Sequence, residues 1–255
     1  MKAEYNDPLN KGERNGMDLL TAISVRHSRR HYIDEPMTSI FCDRLRAEAD
    51  RLNAESGLSI RLITDRHELF KGGFGLFQGA RNAFIFSGSA DNPDLSEQCG
   101  YWGERLLLYA TTMNLGTCWI AATYNRALAQ SLIPAGERLV CIAAVGLIKD
   151  EMSMRESVQY RLIHRACKPV SALCRYDRCS ERFMAGMEAV RLAPSAMNRQ
   201  PVFFELKNGA VTARVSPSAY APVDLGIAKA HFELAAGPGR WAWGSGAAFE
   251  SDEPF

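Results

Sequence analysis

The sequence predicts an α+β fold in which a central mixed β-sheet is covered by helices, and three observations carry that reading. Residues 138–148 (RLVCIAAVGLI) are the most apolar run in the chain. Their short length and their Val, Ile and Ala content fit a strand buried on both faces. Helix-spaced apolar stretches alternate loosely with short strands, twice over. Near the far end, Asn208-Gly209 separates two alternating runs, the mark of a tight hairpin. Elements of this kind pack in layers, helices against a sheet.

Taken in order, Asp18 caps a first helix over 19–25, with Leu19, Leu20 and Ile23 at helical spacing. A basic stretch at 26–32 follows, and Pro36 stops any helix there. The spacing of Ile40, Phe41, Leu45, Ala49 and Leu52 predicts a second helix over 38–52, ended by Gly57. Alternation over 58–64 predicts a strand. Residues 71–79 (KGGFGLFQG) form a glycine- and phenylalanine-rich loop or short helix, and 83–87 (AFIFS) a buried strand. A long helix over 95–114 carries Tyr101, Leu107, Leu108 and Met113 on apolar positions, with Gly116 as its stop in a left-handed cap. After the central strand comes a charged connector at 149–161, then a helix over 181–192 broken by Pro194. The hairpin spans 202–206 and 211–215, and a last helix over 225–236 stops at Gly237-Pro238. Residues 1–150 and 151–255 read as two halves of one compact unit.

The chain has 255 residues, 30 Lys+Arg and 29 Asp+Glu. A net charge of +1 gives no bulk electrostatic case for nucleic acid or an anionic membrane. Seven cysteines without a C-x-x-C pair point to reduced thiols and to no metal site. The polar N-terminus has no apolar leader, so the expected location is cytoplasmic.

Three segments carry chemistry. In an extended 26–32, Arg26, Ser28 and Arg30 share one side, and His27 and Arg29 the other. Two guanidiniums flanking a hydroxyl suit a dianionic phosphate; the same residues also suit a solvated basic turn. In 193–201 (APSAMNRQP), Pro194 ends the helix, and Ser195, Asn198 and Gln200 present a hydroxyl and two carboxamides. Those groups match a heterocycle edge of alternating acceptors and donor, or simply a polar turn. Past the long helix, Gly116, Thr117, Cys118 and Trp119 bring exposed backbone N–H groups after a glycine, and Cys118 reads as a packed structural thiol rather than a nucleophile.

Together these segments resemble the FMN-dependent nitroreductase family, in the branch whose two half-domains are fused in one polypeptide. The resemblance rests on 25–32 (VRHSRRHY, against R-R-S-x-R-x-F/Y), 115–119 (LGTCW, against G-L-G-T-C-W), 193–201 (against A-P-S-x-x-N-x-Q-P) and 100–104 (GYWGE). It implies a nitroreductase-like fold with a pseudo-dimer inside one chain. It implies that Arg26, Ser28 and Arg30, assisted by His27, grip the FMN phosphate and ribityl chain. Pro194, Ser195 and Asn198, with Gln200, would line the ring from the opposite side, and Gly116, Thr117, Cys118 and Trp119 would lie near its reactive face. Lys168-Pro169 resembles a further phosphate contact, with Arg165 as competitor. Val202 stands where an aromatic is usual.

Residues 52–57 hold no second Pro-Ser-x-x-Asn, and the second half holds no second Arg-x-Ser-x-Arg. One complete site per chain is therefore expected, and a monomer suffices to build it. The activity implied is NAD(P)H-dependent ping-pong reduction of a small-molecule substrate such as a nitroaromatic or quinone, with no catalytic side chain. The alternative is a flavin carrier or redox sensor without turnover.

Overall fold

The computed structural model describes residues 17–71, 75–149, 151–152, 157–158 and 166–255. Residues 1–16, Phe74, Arg165 and most of the 149–161 connector lie outside these described residues.

Helix α1 (Leu19–Val25) starts where Asp18 Oδ1 accepts the Thr21 N–H at 2.7 Å. Helix α2 (Ser39–Ser56) buries Phe41, Leu45, Ala49 and Leu52 and ends at Gly57, whose φ of 72° takes the left-handed cap. Ile40, expected inside, is exposed, because Phe41 and Cys42 define the inner stripe. Strands β1 (Ser59–Ile63), β2 (Asn82–Ser89), β3 (Gly116–Ile120) and β4 (Glu137–Gly146) form an antiparallel sheet in the order β1-β2-β4-β3. The apolar run at 138–148 is thus an interior strand, buried as its composition demands.

The second sheet has strands β5 (Cys174–Tyr176), β6 (Val202–Lys207), β7 (Ala210–Val215), β8 (Arg240–Trp241) and β9 (Ala247–Glu250) in the order β5-β6-β7-β9-β8. Only β5 and β6 run parallel, so this sheet is mixed. The β6–β7 hairpin turns at Asn208 and Gly209, with φ of 52° and 78°. The strands therefore divide between two sheets rather than sharing one central sheet; the α+β class, with helices flanking sheets, stands as expected.

Further α-helices among the described residues are α3 (Leu95–Thr112), α4 (Arg126–Ser131), α5 (Glu181–Leu192) and α6 (Ala221–Ala236). Helix α3 is buried almost all round because it lies between the first sheet and α6. The two helices touch backbone to backbone. A Cβ on Gly226 would stand 1.9 Å from Glu97 O, and one on Gly100 2.2 Å from Val223 O. Beyond them, Phe183, Phe204, Phe232, Trp241 and Phe249 form the aromatic core of the second sheet. Helix α1, from the start of the chain, closes against Leu108 of α3 and Ala189 of α5. No described helix is long and apolar enough to cross a membrane.

Candidate functional site

Past α1 the chain extends at Arg26 (φ −66°, ψ 127°) and runs beside β3. Ser28 bridges Thr117 in parallel, and Arg29 N–H donates to Thr117 O at 2.9 Å. Further on, Tyr32 N–H donates to Gln78 O and Gln78 N–H to Arg30 O. The alternation of an extended strand then decides what each side chain meets. Arg26, Ser28 and Arg30 line a cavity of about 840 Å³. Arg29 is buried on the other side, its Nη2 donating to Lys149 O at 3.1 Å. His27 departs from strict alternation and also lines the cavity. Burial, then the adjoining Arg26 and Arg29, push its pKa down, so it faces the cavity as a neutral ring rather than a further cation.

The opposite wall is the bend after α5. Ala193 is extended, as a residue before proline must be. Beyond Pro194 the backbone turns through Met197, Asn198 and Gln200, all with positive φ (55°, 47° and 46°). Non-glycine residues hold such angles at a cost of about 1–2 kcal/mol each, so a bracing network is required. Ser195 Oγ accepts Gln200 N–H at 2.8 Å, and Gln200 Nε2 donates to Arg191 O at 2.8 Å. Lys168 donates twice, from N–H to Gln200 Oε1 and from Nζ to Gln200 O. Asp224 Oδ1 accepts Ala196 N–H at 2.9 Å. Pro194, Ser195 and Asn198 face the cavity. Gln200, only 2% exposed, spends its carboxamide on the brace, and Lys168 serves the same brace; neither belongs to the wall.

Strand β3 supplies the floor. Cys118 and Trp119 line the cavity, whereas Gly116 and Thr117 sit behind it. Gly116 does not form the left-handed helix stop; Asn114 does, at φ 59°. Gly116 is instead a close-packing strand residue, since a Cβ there would meet Ile148 Cγ2 at 2.3 Å and Arg29 Cβ at 3.1 Å. Cys118 is buried, in keeping with a packed thiol. Phe77 of the glycine-rich loop also lines the cavity.

Residues missed by sequence reasoning complete the arrangement. Glu104 of α3 has no exposure at all. Its carboxylate accepts Trp119 Nε1–H at 2.7 Å, meets His231 Nε2 at 2.9 Å and lies 3.4 Å from Arg26 Nε. Burial alone would raise its pKa, but Arg26 and the donors from His231 and Trp119 outweigh it and hold the group below the usual carboxylate range. His231 Nδ1 faces Ala189 O at 3.0 Å, which holds the ring in place against Glu104. Glu104 thereby fixes the Arg26 guanidinium and the Trp119 ring in the wall. Arg26 Nη1 remains buried without a hydrogen-bond partner. Asp224, 4% exposed and in the wall, has its pKa pushed up to about 6 by burial, against the Ala196 N–H that lowers it. The signal for all three was a charged or imidazole side chain set among apolar residues of a helix (GYWGERLLL, PVDLGIAKAHF), where only a buried partner makes the placement tolerable.

Residues 18–236 match the family model described as "Putative TM nitroreductase". No curated protein matches the chain. Among solved structures, a "putative nitroreductase" from Thermotoga maritima is 20% identical and superposes with a TM-score of 0.64, covering 91% of this chain and 92% of its own. The two share a fold over nearly their whole lengths. An FMN-dependent nitroreductase from Clostridium difficile (20% identity, TM-score 0.44) covers 56% of this chain and 96% of its own. A "putative nitroreductase" in complex with FMN from Desulfovibrio desulfuricans (18% identity, TM-score 0.42) covers 55% and 95%.

Proposed function

Since this chain belongs to the nitroreductase family, we propose that it is an FMN-dependent oxidoreductase, taking hydride from NAD(P)H and reducing small acceptors such as nitroaromatics or quinones. One observation carries the reading. The basic segment at 26–30 and the bend at 194–198, far apart in sequence, face each other across a single cavity. The residues suit FMN. Arg26 brings a guanidinium with a buried, unpartnered Nη1, Ser28 a hydroxyl, and Arg30 a second planar fork, which together match a phosphate. Ser195 and Asn198 offer polar groups from the facing wall, where a ring edge needs them. A cavity of about 840 Å³ falls in the upper part of the range, roughly 300–1,000 Å³, that holds cofactors and substrates.

When bound, the flavin supplies the two-electron chemistry, and the protein supplies orientation and electrostatics. Arg26 and Arg30 hold the anionic end, with Arg26 kept in place by Glu104. Trp119, tied to the same carboxylate, forms a fixed wall against which a planar ligand packs. His27, being neutral, adds hydrogen bonding without further charge. One cavity serving donor and acceptor in turn gives a ping-pong order, and no side chain is assigned a catalytic part. The two halves, 1–150 and 151–255, act as one unit in this reading.

The test compares the protein with its Arg26→Ala/Arg30→Ala variant. Charge-assisted hydrogen bonds contribute about 1.5–3 kcal/mol each, so FMN affinity should fall at least 100-fold. Riboflavin, lacking the phosphate, should bind both proteins equally. The loaded protein should lose its flavin absorbance under anaerobic NADPH or NADH and regain it on adding a quinone. Bound flavin that neither nucleotide bleaches would make the protein a carrier, and a protein that takes up no FMN would end the flavin reading.

A further inference from the structure

The cavity has a second cationic pole that the flavin residues do not account for. Arg126, at the start of α4, and Arg138, near the start of β4, line the same cavity as Arg26 and Arg30. Strand register gives their separation. Ser28 bridges Thr117, Thr117 pairs with Val145, and Arg138 stands seven positions back along β4 from Val145, past a bulge opposite Phe86 and Ser87. At a rise of about 3.3 Å per residue, the backbones of Ser28 and Arg138 lie roughly 20 Å apart along the strand direction.

The local structure keeps this second pole open and charged. Strand β3 ends at Ile120, opposite Ile142, so Leu139, Val140 and Cys141 present their edge to the cavity instead of to a partner strand. Arg126 donates to Leu139 O and to Tyr124 Oη, both at 3.4 Å, and Arg138 donates to Ser96 Oγ at 3.3 Å. These acceptors orient the side chains but carry no charge. Among the described residues, no carboxylate lies within ion-pair distance of either guanidinium. Glu137, the acid next in sequence, is taken by the Ser59 and Ser87 hydroxyls on the β1–β2 side. Asp224, the carboxyl in the wall, is engaged by Ala196 on the bend. Both arginines are solvent-exposed, as suits the mouth of a cleft. Two uncompensated like charges at the mouth of an apolar cleft focus a positive field there and draw in anions.

We propose that Arg126 and Arg138 form a subsite for an anionic group, a carboxylate or phosphate, on a molecule that enters this cavity. That this molecule is a redox partner rests on the flavin reading above; the anion preference itself does not. Paired planar forks recognise both anions. A carboxylate would come from the electron acceptor, and a phosphate from the nucleotide donor.

Calorimetric titration of the FMN-loaded protein separates these sources. The probes are 4-nitrobenzoate against nitrobenzene, and adenosine 2′,5′-bisphosphate against adenosine. At least one anion should bind about tenfold or more tightly than its neutral counterpart. Preference in the first pair identifies an acidic acceptor, and preference in the second a phosphorylated donor. In Arg126→Ala/Arg138→Ala that preference should vanish, while FMN affinity and melting temperature stay as in the parent. Equal binding of both pairs, or a preference that survives in the variant, would overturn the subsite. If the protein takes up no FMN, the flavin reading fails separately, and the same titrations on the unloaded protein still decide the anion preference.

Discussion

Asp224 shows how a single residue reports on the cavity. Its carboxyl is 4% exposed, receives one backbone hydrogen bond, and has a pKa pushed up to about 6 by burial. An unfolded aspartate titrates near 3.9. Between these values the folded chain keeps a proton that the unfolded chain has released, so this residue makes stability fall as pH rises from about 4 to 6. The contribution is complete below pH 4, where both states are protonated, and flat again above the folded value. Its full size is about 3 kcal/mol, at 1.36 kcal/mol per pKa unit. Asparagine keeps the acceptor for Ala196 N–H but does not titrate. The unfolding free energy of the flavin-free parent, relative to Asp224→Asn, should therefore decline by that order between pH 4 and 7 in urea titrations. A difference that stays level or climbs over this range would mean that Asp224 ionises as freely as in solvent. Glu104 is the opposite case: equally buried, yet ionised, because the Arg26 cation and hydrogen bonds from His231 and Trp119 converge on it. Neither environment was legible in the sequence, where both are merely acids within apolar helices; what separates them is the number of partners, and those partners come from distant parts of the chain.

At the scale of elements, the crossing of α3 and α6 holds the cavity together, since α3 carries Glu104 and α6 carries Asp224 and His231. Glycine makes the crossing close enough. In Gly226→Ala the new methyl would begin 1.9 Å from Glu97 O and 2.7 Å from Tyr101 N, both backbone atoms of a helix packed on its other side. The helices must separate, at a cost of about 3 kcal/mol. For a chain of this length that is roughly 10 °C in Tm, readable by calorimetry. Gly136→Ala is the control: its φ of 85° costs about 1–2 kcal/mol, but open space surrounds it, so a smaller drop is expected. Equal drops would show that the two helices admit the methyl at far less cost than the contact distances at Gly226 imply. Local signals did identify most elements. Asp18, Gly57, Pro194 and the Asn208-Gly209 turn each fix a boundary by their own stereochemistry, and α5 spans the predicted residues. Strand β3 escaped because its five residues were absorbed into a glycine-stop reading, although Asn114 already reverses the chain. The division into two sheets also escaped, because strand pairing between residues far apart leaves no trace in local periodicity.

For the whole molecule, the decisive relation is that one chain supplies both walls of the cavity. Helix α1 leads into Arg26 and packs on α3 and α5; α5 in turn ends at Pro194 and leads into the facing bend. The 26–30 strip and the 194–198 bend are thus held by helices packed on one another within a single polypeptide. The two motifs were legible in the sequence, and the absence of a second copy of either raises the expectation of one site per chain. The sequence did not reveal the second arginine pole, whose members gain meaning only from the open edge of β4. From this geometry we expect one FMN per chain and retention of the flavin by a species of 28.3 kDa. Sedimentation velocity, with flavin and protein absorbance followed together over a hundredfold dilution, tests this. If dimers form, their dissociation should leave the flavin with each monomer and its affinity unchanged. Flavin released in step with dissociation would mean that a second chain contributes to holding it. Two flavins per chain would mean that the supposedly absent second site exists.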